Sequence, residues 1–146
     1  MKHFRQNFQH KLIYIFSIED AAHKGLLKIG DATIKTTKLL PPNSAELNNA
    51  ARARIKKYTN TAGINFNLLH TELAVKNNSA AFRDYDVHKV LERSGFNKKK
   101  IKGTTAQEWF KVDLPTAKKA VAAVKQNKKT LDGAATSEIF LRGEIK

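Results

Sequence analysis

The sequence contains no cysteine, which excludes a disulfide scaffold, a thiol nucleophile and thiolate metal ligands. Acidic residues are also scarce, with 13 Asp and Glu against 27 Lys and Arg. No apolar run approaches the roughly 18 residues that a membrane-spanning helix requires. The first eleven residues are basic but lack the apolar core of a secretion signal. We therefore expect a soluble, strongly basic, cytoplasmic protein that does not bind membranes.

The positive charge is spread along the whole chain. The formal net charge is +14, with +6 in residues 1–73 and +8 in residues 74–146, so a basic tail does not account for it. The 146 residues are enough for one hydrophobic core, and a hydrophobic content of 41% is too high for a fully disordered chain. Such a charge favours binding to polyanions, and nucleic acid is the first partner to consider.

Local patterns in the first half predict two strands, a helix and a third strand. Residues 11–17 and 26–30 are rich in β-branched and apolar side chains, and they lie close enough for an antiparallel hairpin. Ser44 is typical of a helix N-cap and predicts a helix that continues to about residue 58. Residues 64–75 alternate and predict a strand. One face of that strand would carry Phe66, Leu68, His70, Glu72 and Ala74.

The second half predicts two more helices and a short strand. Phe82, Tyr85 and Leu91 recur near helical spacing, and Gly95 marks the end of that helix. Residues 96–103 predict a basic loop, and residues 108–112 predict a short strand.

The last helix is predicted to begin at Pro115 and to end near residue 127. The predicted fold is therefore α+β, with a small antiparallel sheet flanked by helices. We expect a single domain over residues 1–127, followed by a polar tail or the start of a further domain over residues 128–146.

The chemistry-bearing residues favour phosphodiester cleavage. No Walker loop, dinucleotide fingerprint, zincin helix or nucleophile elbow occurs in the sequence. Tyr14, Lys28 and Arg54 lie on elements that could meet, together with a carboxylate. Arg and Lys can offset the charge of a phosphoryl transition state, a carboxylate can hold Mg²⁺, and a tyrosine can transfer protons.

The same residues resemble the motifs of the GIY-YIG endonuclease superfamily, and most closely its phage- and restriction-associated branch, whose second motif is KIG. The motifs, in order, are Leu12-Ile13-Tyr14, Lys28-Ile29-Gly30, Arg54 with Tyr58 one turn later, Asp84-Tyr85-Asp86-Val87-His88, and Glu108-Trp109-Phe110. The resemblance covers roughly residues 11–113. It implies a three-stranded antiparallel sheet flanked by helices and hydrolysis of DNA with one divalent ion, Mg²⁺ or Mn²⁺.

The resemblance also implies catalytic roles for four residues. Tyr14 would activate or orient the attacking water, and Arg54 would stabilise charge on the scissile phosphate. Lys28 would stand where the second motif often has tyrosine and would assist either role. Tyr58 would take the place of the His or Tyr that follows the arginine.

Other residues would support the site. Asp84 would take the place of the metal-binding glutamate, and Asp86 is the other candidate ligand. Gly30 would serve backbone packing, while His88 and Glu108 would support the site from nearby. Four lysines are candidates for gripping DNA phosphates, namely Lys98, Lys99, Lys100 and Lys102.

Three departures from the family pattern leave a second function open. Leu12 replaces the first glycine, Lys28 replaces a tyrosine, and Asp84 is one methylene shorter than glutamate. The first hypothesis is the N-terminal nuclease domain of a restriction- or helicase-associated protein, with a following helicase-like domain or a partner subunit. The alternative is a catalytically weak or inactive nucleic-acid-binding module of the same fold. A basic RNA-binding domain is a more distant alternative.

Overall fold

A computed structural model of the chain describes residues 9–59, 65–100 and 108–131, without the side chains of Tyr58, Lys100 and Glu108. These ranges contain five strands and three helices. In chain order they are β1 (Gln9–Ser17), β2 (Leu26–Lys35), α1 (Ala45–Thr59), β3 (Asn67–Leu73), α2 (Asp84–Arg93), β4 (Lys98–Lys100), β5 (Glu108–Lys111) and α3 (Leu114–Lys125).

The strands form one antiparallel sheet in the order β3-β1-β2-β5-β4. The predicted α+β class is confirmed, but the predicted count of three strands is wrong, because the described residues contain five. The predicted strands form one side of the sheet, β3-β1-β2. The hairpin of β4 and β5 extends it, and β5 joins β2 at Leu26 and Leu27.

The lysine-rich segment that was predicted as a loop forms β4. Lys98–Lys100 pairs antiparallel with residues 108–110 of β5. Three consecutive lysines show no apolar alternation, so the sequence pattern did not predict a strand there. β4 lies at the edge of the sheet, where lysines are common because their charge discourages pairing with another chain.

The sheet is buried on both faces along β1. Residues 12–16 are each at most 2% exposed. Because successive strand residues point to opposite faces, Tyr14 packs in the core under α1, whereas Ile13 and Ile15 pack in the core under α2 and α3. Leu47, Ala51 and Ile55 are the α1 residues in the first core.

β3 contains a bulge that changes which residues share a face. The prediction that the alternating residues 66–74 all lie on one face is wrong. Phe66 and Leu68 pack in the core under α1, whereas Ala74 packs in the core on the other face. The register with β1 shifts between two neighbouring pairs, which leaves Leu69 as an extra residue. An extra residue in a period of two moves the following side chains to the other face.

Local signals placed the helix ends correctly. The Ser44 hydroxyl oxygen accepts the N–H of Leu47 at 3.4 Å, as expected of an N-cap. Pro115 lies in the first turn of α3, behind an Asp113 side chain that accepts a hydrogen bond from the backbone at 2.8 Å. Gly95 follows α2 with a φ of +100°, a backbone conformation that side chains with a Cβ rarely adopt.

The described chain continues past α3 to Leu131, which is buried and whose N–H donates to the Ser94 hydroxyl at 2.9 Å. Residues 132–146 lie outside the described ranges, so the predicted boundary after residue 127 stays a prediction. In the part of the chain that the structure describes, no helix is long and apolar enough to cross a membrane.

A buried polar network ties β3 to α3 and to the loop before α1. The carboxylate of Glu72 accepts hydrogen bonds from His70 Nε2 at 2.9 Å and from the Lys125 ammonium at 2.6 Å. Asn43 bridges the other nitrogen of His70 and the N–H of Thr71. Burial alone would raise the pKa of Glu72, but the hydrogen bonds from His70 and Lys125 outweigh burial and lower it.

Replacing Glu72 with glutamine should make the protein less stable and less sensitive to acid. The pKa of Glu72 is lowered by folding, so its stabilising contribution is present above the ordinary glutamate pKa and is lost as the pH falls through the lowered pKa. At neutral pH we expect a loss of about 1.5–3 kcal/mol in the free energy of unfolding. Urea unfolding at several pH values would measure both effects.

Glu92→Gln is the matched control, because Glu92 makes only a half-exposed ion pair with Lys98 at 3.6 Å. Its expected effect is below about 1 kcal/mol. If Glu72→Gln and Glu92→Gln had the same small effect, the polar network on β3 would not be a stabilising feature.

Candidate active site

Tyr14 and Gly30 lie directly opposite each other on β1 and β2. The Tyr14 ring lies over Gly30 so closely that a Cβ atom at Gly30 would be 2.5 Å from both Cζ and the hydroxyl oxygen of the ring. Non-bonded atoms do not approach this closely, so a side chain at position 30 would occupy the space of the ring. The first two sequence motifs are therefore in direct contact, and the residue that packs against Gly30 is Tyr14.

Lys28 lies on β2 two residues before Gly30, opposite Phe16. Because side chains two residues apart in a strand point to the same face, Lys28 shares the face of Tyr14. Lys28 is partly exposed. The backbone pairing of β2 with β5 ends at Leu27. From Lys28 onward, α2 packs against this edge of β2 in place of β5.

The first turn of α2 is held against β2 by Asp31, a residue that the sequence reading did not single out. The Arg83 guanidinium donates to both carboxylate oxygens of Asp31, at 2.8 and 3.3 Å. The main-chain N–H of Asp84 donates to the same carboxylate at 2.9 Å. Asp31 directly follows the second motif, and this position is the only sequence signal that could have drawn attention to it.

Asp31 and Asp84 form a carboxyl pair with unequal pKa values. Burial and the negative charge of Asp31 raise the pKa of Asp84, while the charge of Lys28 opposes the rise. Burial acts on Asp31 in the same direction, but the hydrogen bonds from Arg83 and from the Asp84 N–H outweigh it and lower the pKa of Asp31. Asp84 is therefore the more easily protonated of the two carboxyl groups, and Asp31 is the more easily ionised.

His88 positions α2 on the sheet. Its ring is buried, and Nε2 donates to the carbonyl oxygen of Ile29 at 2.8 Å, while the ring centroid lies 5.3 Å from that of Phe110. Burial lowers the pKa of His88, which favours the neutral ring. Since Nε2 is engaged with the backbone, the arrangement supports the predicted orienting role of His88.

Asp86, the other candidate ligand, is engaged in capping α2. Its Oδ2 accepts the main-chain N–H of Arg83 at 2.9 Å. A carboxylate three residues into a helix that binds back to the residue before it is a capping interaction, and it satisfies one of the free N–H groups at the helix start. The geometry therefore favours Asp84 over Asp86 as the carboxylate available to a ligand.

Arg54 is exposed on α1, the helix that covers the Tyr14 face of the sheet. The buried residues Ala51 and Ile55 face the sheet, and Arg54 borders this buried stripe on one side. Tyr58 follows one turn later in α1, but its side chain lies outside what the structure describes.

The remaining predicted residues lie on the β4-β5 hairpin. Lys98 makes an ion pair with Glu92, and Lys99 is exposed, opposite a buried Trp109. Glu108 and Lys100 face each other in the backbone pairing, but their side chains, and all of Lys102, lie outside the described part of the chain. Lys98 and Lys99 thus lie on the edge strand β4, which β5 separates from β2.

Comparison with protein-family models shows that the T5orf172 domain matches residues 11–125, from β1 to the last residue of α3. This region is well over half of the chain. The chain belongs to the T5orf172 domain family. Comparisons with curated proteins and with solved structures give no match.

T5orf172 is a phage-associated domain family that is related to the GIY-YIG-like/HNH nuclease fold. The matched region contains every predicted site residue, from Tyr14 to Glu108. The family supports a role in nucleic-acid cleavage or DNA binding at this coarse level. Membership in the GIY-YIG superfamily itself stays a prediction.

The residues of this T5orf172 domain fit one kind of metal site. Among the described residues, no three acidic or histidine side chains form a cluster that could hold an ion. Asp31 and Asp84 supply carboxylate oxygens, but Asp31 already accepts two hydrogen bonds from Arg83. Mg²⁺ commonly binds through one or two carboxylates and completes its shell with water and phosphate oxygens. Asp84 would therefore suit a Mg²⁺ ion that takes one carboxylate from the protein and its other ligands from water and the substrate phosphate.

Proposed function

We propose that this T5orf172 domain is a metal-dependent endonuclease that hydrolyses DNA phosphodiester bonds. The observation that carries the proposal is the arrangement around Lys28. Tyr14 shares its face of the sheet, and Asp84 lies on α2 near enough for the charge of Lys28 to oppose the rise that burial causes in the pKa of Asp84. A proton-transfer group and a cation therefore share one face of β1 and β2, and a carboxylate on α2 lies within electrostatic range of that cation.

The chemistry assigns a role to each of these groups. The Tyr14 hydroxyl orients the attacking water and takes part in its deprotonation. Lys28 and Arg54 offset the negative charge that builds on the phosphate oxygens in the transition state. Asp84 is the carboxylate that would hold Mg²⁺ or Mn²⁺, and when bound the ion would polarise the phosphate and lower the pKa of water.

DNA is the proposed partner, and the lysines at the β4 edge are its proposed contacts. Lys98, Lys99 and Lys100 lie on the edge strand β4, which pairs with β5, and Lys102 follows two residues later in the sequence. Together with a net charge of +14, they would attract the phosphate backbone without reading its sequence. A following helicase-like domain or a partner subunit is proposed as the source of sequence specificity.

Cleavage of supercoiled plasmid DNA would test the proposed function. We expect nicked or linear product with Mg²⁺ or Mn²⁺ and none with a chelator. Asp84→Asn should raise the metal concentration required for half-maximal cleavage by about tenfold or more. Asp86→Asn is the matched control, because asparagine keeps an oxygen that can cap α2, and its metal requirement should stay unchanged.

An inactive nucleic-acid-binding module is the second candidate function. The observation that favours it is that burial and the charge of Asp31 raise the pKa of Asp84, which makes its carboxyl group a weaker metal ligand. This candidate predicts salt-dependent DNA binding without cleavage under any metal condition. An identical metal requirement in Asp84→Asn and the parent would likewise remove Asp84 from the proposed site.

A further inference from the structure

Tyr85 is exposed although the sequence pattern grouped it with apolar helix residues. Its side chain is 53% exposed, whereas the other aromatic side chains that the structure describes are buried or partly buried. Phe82 and Leu91, with which it shares near-helical spacing, are both in the core. The Tyr85 ring is therefore an aromatic surface accessible to a ligand next to the candidate active site.

Tyr85 lies on the flank of α2 that faces the candidate active site. It directly follows Asp84, and helix geometry places it about 60° around the axis from His88. The His88 ring binds the Ile29 carbonyl of β2, so this flank adjoins the edge where Lys28 lies. The Lys89 ammonium stands over the Tyr85 ring at 5.7 Å from its centroid, which adds a positive charge beside the aromatic surface.

An aromatic ring beside a lysine has the chemistry of a nucleobase platform. Base stacking on aromatic side chains tolerates any sequence because every base has a π-face, and adjacent cations hold the backbone. In a continuous duplex, each base face is covered by its neighbours. The ring can therefore stack only on a base that is unpaired or displaced.

We propose that Tyr85, assisted by Lys89, stacks on an unpaired nucleobase beside the phosphodiester held at the candidate active site. The protein then prefers DNA with single-stranded or frayed segments over continuous duplex. The placement of this base beside the reacting phosphodiester rests on the proposed function. The base contact itself does not require cleavage.

Binding of a short single-stranded oligonucleotide that carries 2-aminopurine, with a chelator present, tests the base contact. We expect the parent to quench the 2-aminopurine fluorescence. Tyr85→Ala should abolish the quenching and weaken single-strand binding by about 5- to 100-fold. It should change the affinity for the duplex of the same sequence by less than about twofold. Tyr85→Phe should keep the quenching, because the ring and not the hydroxyl makes the contact.

Leu39→Ala is the matched control, because Leu39 is the other large apolar side chain that the structure shows exposed. This variant should bind both forms of DNA as the parent does. Equal weakening for single strand and duplex in Tyr85→Ala would overturn the proposal, and so would a Tyr85→Phe variant that behaves like Tyr85→Ala.

Different measurements would contradict the two proposals. Tyr85-dependent quenching without cleavage of any DNA would contradict the nuclease and retain the base contact. Metal-dependent cleavage by a protein that shows no Tyr85-dependent quenching would retain the nuclease and overturn the base contact.

Discussion

Replacing Arg54 with alanine should slow DNA cleavage by about a hundred- to a thousandfold, which is the usual effect of removing one group that stabilises charge in a transition state. Arg54 is exposed beside the buried stripe of α1, on the helix that covers the Tyr14 face. Its guanidinium can therefore reach a phosphate without crossing the core. The effect should be on the cleavage rate at saturating DNA, measured by plasmid nicking in single-turnover conditions.

Arg52→Ala is the matched control for the loss of a positive charge. Arg52 is also exposed on α1, but it lies about 200° around the helix from Arg54 and borders the other flank of the buried stripe. We expect a change of less than about twofold in rate, the size of one exposed charge acting at a distance. Both variants should unfold within about 0.5 kcal/mol of the parent, because surface positions contribute little to stability.

A similar loss of rate in Arg54→Ala and Arg52→Ala would mean that α1 contributes only general charge. If Arg54→Ala cleaved DNA at the rate of the parent protein, Arg54 would not take part in catalysis. Arg54→Lys should recover part of the activity, because lysine restores the charge but not the planar, two-pronged contact that guanidinium makes with a phosphate.

Replacing Gly30 with alanine should destabilise the protein and disable the candidate active site at once. The new Cβ would lie 2.5 Å from Cζ and the hydroxyl oxygen of Tyr14, and this ring is only 2% exposed, so neighbouring core residues limit its movement. Overpacking of this kind costs about 1–3 kcal/mol. Displacement of the Tyr14 hydroxyl by about 1 Å would slow cleavage by about a hundredfold.

A double-mutant cycle would separate the clash from other effects of alanine at position 30. In a Tyr14→Ala background the ring is gone, so Gly30→Ala should cost much less in the free energy of unfolding than in the parent. The coupling should fall in the range of about 0.5–3 kcal/mol that contacting residues show. Urea unfolding of the four proteins measures it. Additive effects of the two substitutions would show that the ring and position 30 do not meet.

The elements that the sequence predicted well are those with short-range signals. The β1-β2 hairpin, the Ser44 cap of α1 and the Pro115 start of α3 each depend on residues within a few positions of one another. The sequence placed the motif residues on the paired strands β1 and β2, and the structure gave the register that puts Tyr14 opposite Gly30.

The errors arise where neighbouring elements override the local pattern. β4 consists of three lysines and becomes a strand because β5 provides backbone partners. The bulge in β3 depends on the register with β1 and not on the composition of β3. Tyr85 fits an apolar stripe in sequence, but α2 docks through Val87, His88 and Leu91, which leaves Tyr85 outside the core.

The sequence by itself determined the α+β class and most element positions, because these follow from composition and periodicity, and its motif order supplied the candidate catalytic groups. Only the tertiary structure decided that Asp31, Arg83 and Asp84 form one cluster, since Asp31 lies 52 and 53 residues before its two partners. It also decided that burial and the charge of Asp31 raise the pKa of Asp84. The physical reason is that charge interactions and burial depend on distances in space, which local sequence patterns do not encode.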